Sequence, residues 1–212
     1  MTQASMTQAP MTQAPATQAP MTETDPREIH QRAMAQTELI VAAVEPGQLT
    51  LPTPCADYDV GALLSHIVGG LNRIALMGEG ADAMAAPPRA DGVPDDGWLA
   101  AYCTARRRVI AAWADDARLD AVIEVPWGKV PGRIALSGYV QEITAHGWDL
   151  AKATGQPTEL EPELAIWVLA IAQRILPAEP RGIQEIPFGP VVPASPSAGP
   201  YAQMAAWLGR QP

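Results

Sequence analysis

Residues 138–150 read Gly-Tyr-Val-Gln-Glu-Ile-Thr-Ala-His-Gly-Trp-Asp-Leu, with Glu142, His146 and Asp149 at i, i+4 and i+7. On a helix those three positions share one face. The rest of the stretch is apolar enough to lie inside a protein. A carboxylate taken out of water is costly unless it is paired, hydrogen-bonded or bound to a metal ion. The remainder of the chain must therefore surround this helix with other elements and bring a partner to its polar face.

The chain has the material for a core. It holds 212 residues, 48% of them hydrophobic, a length that suits one domain with appendages. It carries 14 Lys+Arg against 23 Asp+Glu, a formal net charge of −9. An acidic chain without a basic stripe argues against a nucleic-acid partner. The apolar runs are interrupted by charge or glycine before 18 residues, so no membrane span is expected. The N-terminus lacks the basic start and apolar core of a signal peptide, and a cytoplasmic location is expected. Cys55 and Cys103 form no CxxC pair and read as small buried hydrophobes.

Residues 1–20 repeat with a period of five: MTQAS, MTQAP, MTQAP, ATQAP. With little apolar surface and recurrent proline, residues 1–22 read as a disordered low-complexity tail. Residues 23–212 read as the folded domain. A first helix is capped by Asp25 and started by Pro26, with Ile29, Ala33, Ile40, Ala43 and Val44 as its stripe, and Pro46-Gly47 ends it. A lone histidine near its start, His30, reads as structural or exposed. The second helix spans about 60–77, with Asp59 as N-cap and Val60, Leu63, Leu64, Ile67, Val68, Leu71 and Ile74 inward. His66 lies near that core side, and Gly69-Gly70 permits close approach of a backbone or ligand.

Residues 78–97 read as a long connection. The third helix covers about 98–113, with Tyr102, Val109, Ile110 and Trp113 inward. The run Arg106-Arg107-Arg108 reads as a solvated face paired with Asp115, Asp116 or neighbouring helices, the alternative being an anchor for a substrate carboxylate. Residues 121–125 read as a short extended piece and 126–132 as a turn, with Trp127 a cavity, core or lid contact. The fourth helix, about 133–153, turns Ala135, Gly138, Glu142, Ala145, His146, Asp149 and Ala153 inward. A further helix from Pro162 points Leu164, Trp167, Val168, Ile171 and Ile175 in. Residues 177–200 are irregular, and 201–208 form a short closing helix.

His66, Glu142 and His146 together offer two imidazoles and a carboxylate, a sensible set for Zn, Ni, Fe or Mn with a position left for water or substrate. The Glu-x3-His spacing alone does not separate a metal site from a structural or proton-transfer network. Asp149 can orient an imidazole, cap the segment before the second helix, or pair with an arginine. The role of holding an imidazole is placed first.

Three stretches carry a resemblance: Leu51-Pro52-Thr53-Pro54-Cys55; Val60-x-x-Leu63-Leu64-x-His66-Ile67-Val68-Gly69-Gly70; and His146-Gly147-Trp148-Asp149-Leu150-Ala151-Lys152-Ala153-Thr154-Gly155. They resemble actinobacterial metal-binding proteins of the DinB/YfiT-like superfamily, related to the N-terminal domain of mycothiol-dependent maleylpyruvate isomerase. Phe188-Gly189-Pro190 and Trp207-Leu208-Gly209-Arg210 extend the resemblance, which covers about residues 25–210. It implies an all-α fold, a four-helix bundle with additional short C-terminal helices. It also implies a divalent metal held by His66, Glu142 and His146, with zinc first among the candidates. Two positions depart from the family pattern, where tryptophan and arginine usually stand: here they are Tyr58 and Gly61. No counterpart of the isomerase's second domain is expected, so maleylpyruvate isomerisation, which draws residues from that domain, is not expected either.

The resemblance points to a thiol transferase that activates mycothiol for attack on a small electrophile; from the residues themselves, Asp149 reads as the catalytic support and Arg73 or Arg106 as candidate anchors for a polar cofactor or substrate. Alternatives are a metal-dependent hydrolase, a specialised biosynthetic isomerase or cyclase, and a non-catalytic metal- or ligand-binding bundle. A small-molecule substrate is the expected partner, and a homodimer is compatible with the sequence.

Overall fold

The computed structural model describes residues 25–182 and 188–212. The expected tail at 1–22 lies outside the described residues, as does part of the irregular stretch 177–200. The elements in chain order are α1 (Pro26–Ala42), a 3-10 turn (Pro46–Gln48), α2 (Val60–Glu79), α3 (Trp98–Ala112), α4 (Ala117–Asp120), β1 (Val122–Val125), β2 (Gly128–Pro131), α5 (Gly132–Ala153), α6 (Pro162–Ile175) and α7 (Pro200–Trp207). Helices α1, α2, α3 and α5 make the expected four-helix bundle. α1 packs on α5 and α3, and α2 on α3 and α5, while α6 and α7 pair as an addition against it.

Local chemistry sets these boundaries. Asp25 accepts from the Arg27 backbone N–H and Asp59 from that of Ala62, so each helix start has a side-chain acceptor. α2 runs past the expected end to Glu79, where Gly80 at φ 77° turns the chain out and donates back to Leu76 and Met77. Residues 122–131 form an antiparallel hairpin, with Val122 opposite Pro131 and Val125 opposite Gly128. The expected turn therefore contains a second strand. α5 begins directly behind it.

α5 is the central helix. It is buried around most of its circumference, because α1, α2, α4, the hairpin and α6 all lie against it. Polar groups on any of its faces must consequently find partners. Gly147 lets α1 come close: a Cβ there would sit 2.7 Å from Thr37 Oγ1. α2 is long and apolar enough to cross a membrane, with a mean hydropathy of 1.4, contrary to the interruption read from sequence. Here that apolar surface packs the bundle, and Leu63, Leu64 and Leu71 are fully buried.

Some inward faces differ from expectation. Ile110 is exposed while Tyr102, Val109 and Trp113 are buried. Tyr102 Oη and Trp113 Nε1 donate to the carbonyls of Met34 and Ile74, which fixes the orientation of α3. α6 turns in Leu164, Ala165, Val168 and Ala172, and Ile175 is exposed. Ala43 is exposed because α1 ends before it. Cys55 and Cys103 are free and half-buried rather than core residues.

Candidate metal centre

Two helices deliver the site. His66 comes from the second turn of α2, and Glu142 and His146 from successive turns of α5. Glu142 Oε1 stands 2.8 Å from His66 Nε2 and 3.3 Å from His146 Nε2. The two imidazoles are edge to face, with centroids 5.1 Å apart. Four ligands at tetrahedral corners about 2.1 Å from zinc are about 3.4 Å from one another. The two spacings from Glu142 lie within an ångström of that value, and all three donors lie within 4.8 Å of one another. The sequence-derived grouping of these residues is met in space. Among the described residues, a second group of donors also lies within 4.8 Å of one another: Cys55, His146 and Asp149.

Asp149 separates the two groups. It is fully buried, and both oxygens are engaged. Oδ2 is 3.0 Å from His146 Nδ1, Arg210 Nε donates to Oδ1 at 2.8 Å, and Arg210 Nη2 donates to Oδ2 at 2.9 Å. Arg210 also donates to the Leu208 carbonyl, which ties the C-terminal segment to α5. A carboxylate so occupied is a poor metal ligand. Burial also pushes the Cys55 thiol up and disfavours its thiolate. Glu142, with 42% of its side chain exposed, keeps coordination capacity free. The His66–Glu142–His146 set is the better cation site.

The electrostatics favour charge inside this cluster. Burial raises the Glu142 pKa, but the charge and hydrogen bond of His146, then those of His66, outweigh it and hold the carboxyl well below the usual range. Burial opposes charging of His146, yet Glu142 and Asp149 raise it to about 9. Burial likewise raises Asp149, and His146 and Arg210 bring it back below its ordinary value. Glu142, His146, Asp149 and Arg210 thus form a row of alternating charges running from the surface into the core. A metal competing for His146 Nε2 must displace its proton, while Asp149 keeps a proton on Nδ1 and so presents Nε2 for coordination.

The segment before α2 builds one wall. The Thr53 hydroxyl lies 2.9 and 2.8 Å from the carbonyls of Cys55 and Tyr58 and shares its one proton between them, and Pro52 bridges Asp59. This rigid turn lays Tyr58 flat on His66, centroids 5.0 Å apart at 17°. The Arg89 guanidinium also lies over the Tyr58 ring, 5.1 Å from its centroid. Its segment is held by the reciprocal pair Ala90 N–H to Ser65 carbonyl and Ser65 Oγ to Ala90 carbonyl. Gly69 makes this approach feasible, since a Cβ there would lie 2.6 Å from Arg89 Cα. Gly70, by contrast, faces open space and lines a cavity of about 10 Å³ with His66, Glu142 and His146. That is room for one water-sized occupant.

Other expected site residues lie elsewhere. Arg106 pairs with Glu38 and Arg108 with Glu79 on neighbouring helices, while Asp116 pairs with Arg27. Arg73 donates to the Ala86 carbonyl. Trp127 is 55% exposed and packs on Tyr139 at the hairpin, beside Gly138. Sequence reasoning gave no role to Arg210 or Arg89. Arg210 had one signal, its place in the Trp-Leu-Gly-Arg ending, whereas the position of Arg89 depends on how a long connection folds back.

A helical bundle with two imidazoles and a carboxylate converging from two helices belongs to the class of bundles with a candidate metal site in the core between facing helices. Residues 30–151 match the family described as the mycothiol maleylpyruvate isomerase N-terminal domain. This chain belongs to that family. Proteins from two strains of Mycobacterium tuberculosis, both described as uncharacterized, are 35% identical over 185 residues, covering 87% of this chain and 97% of theirs. The fold is also similar to the crystal structure of the mycothiol-dependent maleylpyruvate isomerase, with TM-score 0.55 and 11% identity, covering 74% of this chain and 72% of that one.

Proposed function

We propose that this chain is a metal-dependent thiol transferase whose domain spans residues 23–212. His66, Glu142 and His146 hold a divalent metal, zinc first, and mycothiol is the thiol that attacks a small electrophile. The observation that carries the reading is Glu142 Oε1 lying 2.8 and 3.3 Å from imidazole nitrogens of two different helices. Family membership supports the thiol. A divalent metal bound there supplies Lewis acidity and lowers the pKa of a coordinated thiol.

The protein's own groups do the positioning. Asp149 orients His146 and keeps its Nδ1 protonated, so Nε2 faces the cluster. Arg210 holds Asp149 ionised in the core. Tyr58 braces the His66 ring. The exposed edge of Glu142 and the open space at Gly70 mark the side from which substrate approaches.

The 10 Å³ cavity favours a second reading, in which a water is the nucleophile and the reaction is hydrolysis. Thiol conjugation and hydrolysis separate in one assay: the metal-loaded protein is given an electrophile with and without mycothiol. Product that requires the thiol supports transfer, and product without it supports hydrolysis. His146→Ala should lose both metal and conjugation while keeping its helical circular dichroism. Normal conjugation by metal-free His146→Ala protein contradicts the proposal.

A further inference from the structure

A second cavity shares no lining residue with the His66–Glu142–His146 cluster. It measures about 400 Å³ and lies between the N-terminal half of α1, the C-terminal half of α3 and the start of α5. That volume is within the range of small-molecule sites. Met34, Val109, Ile110, Trp113 and Leu136 give it apolar walls. Its rim is charged but internally satisfied: Arg27 is paired with both Asp25 and Asp116 and donates to the Ala114 carbonyl, bridging α1 to the end of α3.

One polar group of the lining is not satisfied. His30 is 1% exposed, and its Nε2 is buried without a hydrogen-bond partner among the described residues. Such groups are rare in folded proteins and ask for an occupant or a reason. Burial keeps this imidazole neutral, with its pKa pushed down to about 3. A neutral ring does not attract an anion, and with Asp25 and Glu28 at the rim and Arg27 already paired, neither does the rest of the cavity. A hydroxyl suits either tautomer of the ring, because it both donates and accepts.

We propose that the cavity between α1, α3 and α5 is a second small-molecule site, separate from the metal centre. It takes an uncharged aromatic compound bearing a hydroxyl, whose ring lies against Val109, Trp113 and Leu136 and whose hydroxyl bonds to His30 Nε2. Nε2 is closed off from the open part of the cavity, so the hydroxyl reaches it when a wall side chain moves aside. Met34, unbranched with three rotatable bonds, is the wall residue suited to yield.

The test titrates the full chain with phenol, its methyl isostere toluene and the anion benzoate, following the histidine side chains by NMR. The chain has 3 histidines, so His30 is separable from His66 and His146. Phenol should shift the His30 ring saturably and leave the other two unchanged. Toluene should bind about fivefold more weakly, the worth of one neutral hydrogen bond, and benzoate more weakly still. His30→Leu removes an unsatisfied polar group from the interior, a change the fold tolerates. It should bind phenol and toluene equally. Ile110→Trp, at the cavity mouth, should lose both. No saturable His30 shift, equal affinity for phenol and toluene in the unaltered chain, or a phenol preference that survives His30→Leu would each overturn the proposal.

Discussion

Replacing Arg210 by methionine tests whether the C-terminal segment is held by charge. Asp149 has 0% of its side chain exposed and Arg210 10%, so water does little to screen either. Arg210 makes three contacts with the carboxylate, at 2.8, 3.2 and 2.9 Å. Removing one partner of a buried pair costs about 3–5 kcal/mol, because the other charge stays in the core unpaired. His146 still reaches Asp149, so the expected loss is near the lower end, about 3 kcal/mol. Urea unfolding of the metal-free protein at pH 7 reads this as a lower midpoint at unchanged slope. Adding Asp149→Leu to Arg210→Met removes the stranded charge and should recover more than half of the loss. A loss below about 1 kcal/mol, the scale of an exposed pair, would refute the reasoning, as would a double variant no more stable than the single one.

Asp149→Asn should keep the fold and weaken zinc binding about 10- to 100-fold, as loss of a histidine-orienting carboxylate does; competition with a chromophoric chelator measures it. Gly69→Ala should lower stability by about 1–3 kcal/mol, because the added methyl meets the Arg89 backbone. Gly70→Ala, in open space, should be neutral or stabilising by up to about 1 kcal/mol; thermal unfolding of the pair checks the contrast. His30 gives a pH signature. Its folded pKa of about 3 is below the unfolded value of 6.5, so its contribution is fully present above pH 6.5 and is lost as pH falls toward 3. At about 1.4 kcal/mol per unit this amounts to about 4–5 kcal/mol. His30→Leu should therefore have a shallower fall in stability across that window. An acid slope identical to that of the unaltered chain would contradict the burial of a neutral imidazole.

The individual helices and the shared face of Glu142 and His146 were legible in the sequence because they follow from periodicity, whereas the four-helix bundle and the joining of His66 to the cluster as a metal site were what the family resemblance implied. The spacing of Glu142 and His146 places them on one face of any helix, and the stripe from Val60 to Ile74 fixes the orientation of α2 and hence of His66. What pairing adds was less visible. Glu124 and Lys129 on the hairpin carry no apolar alternation to announce a second strand. Ile110 and Ile175 fit an apolar stripe but are not packed into the core: Ile110 borders the open cavity between α1, α3 and α5, and Ile175 lies on the outer side of α6. Asp149 showed a need for a partner without showing which one. Arg210 lies 61 residues on, and only the return of the chain past α7 brings it back. Arg89 reaches Tyr58 through a connection whose path is set by Ser65 and Gly69, neither of which signals a contact at that distance in sequence.

The central claim is that two helices converge to hold one metal ion, and metal stoichiometry tests it most directly. Untagged full-length protein, equilibrated with zinc and dialysed, is subjected to elemental analysis beside His66→Ala and His146→Ala, with circular dichroism to verify the fold. The account expects about one zinc per chain in the unaltered protein, as a site with an open position holds, and far less in either variant. Equal zinc in all three proteins, or none in any of them, would contradict it.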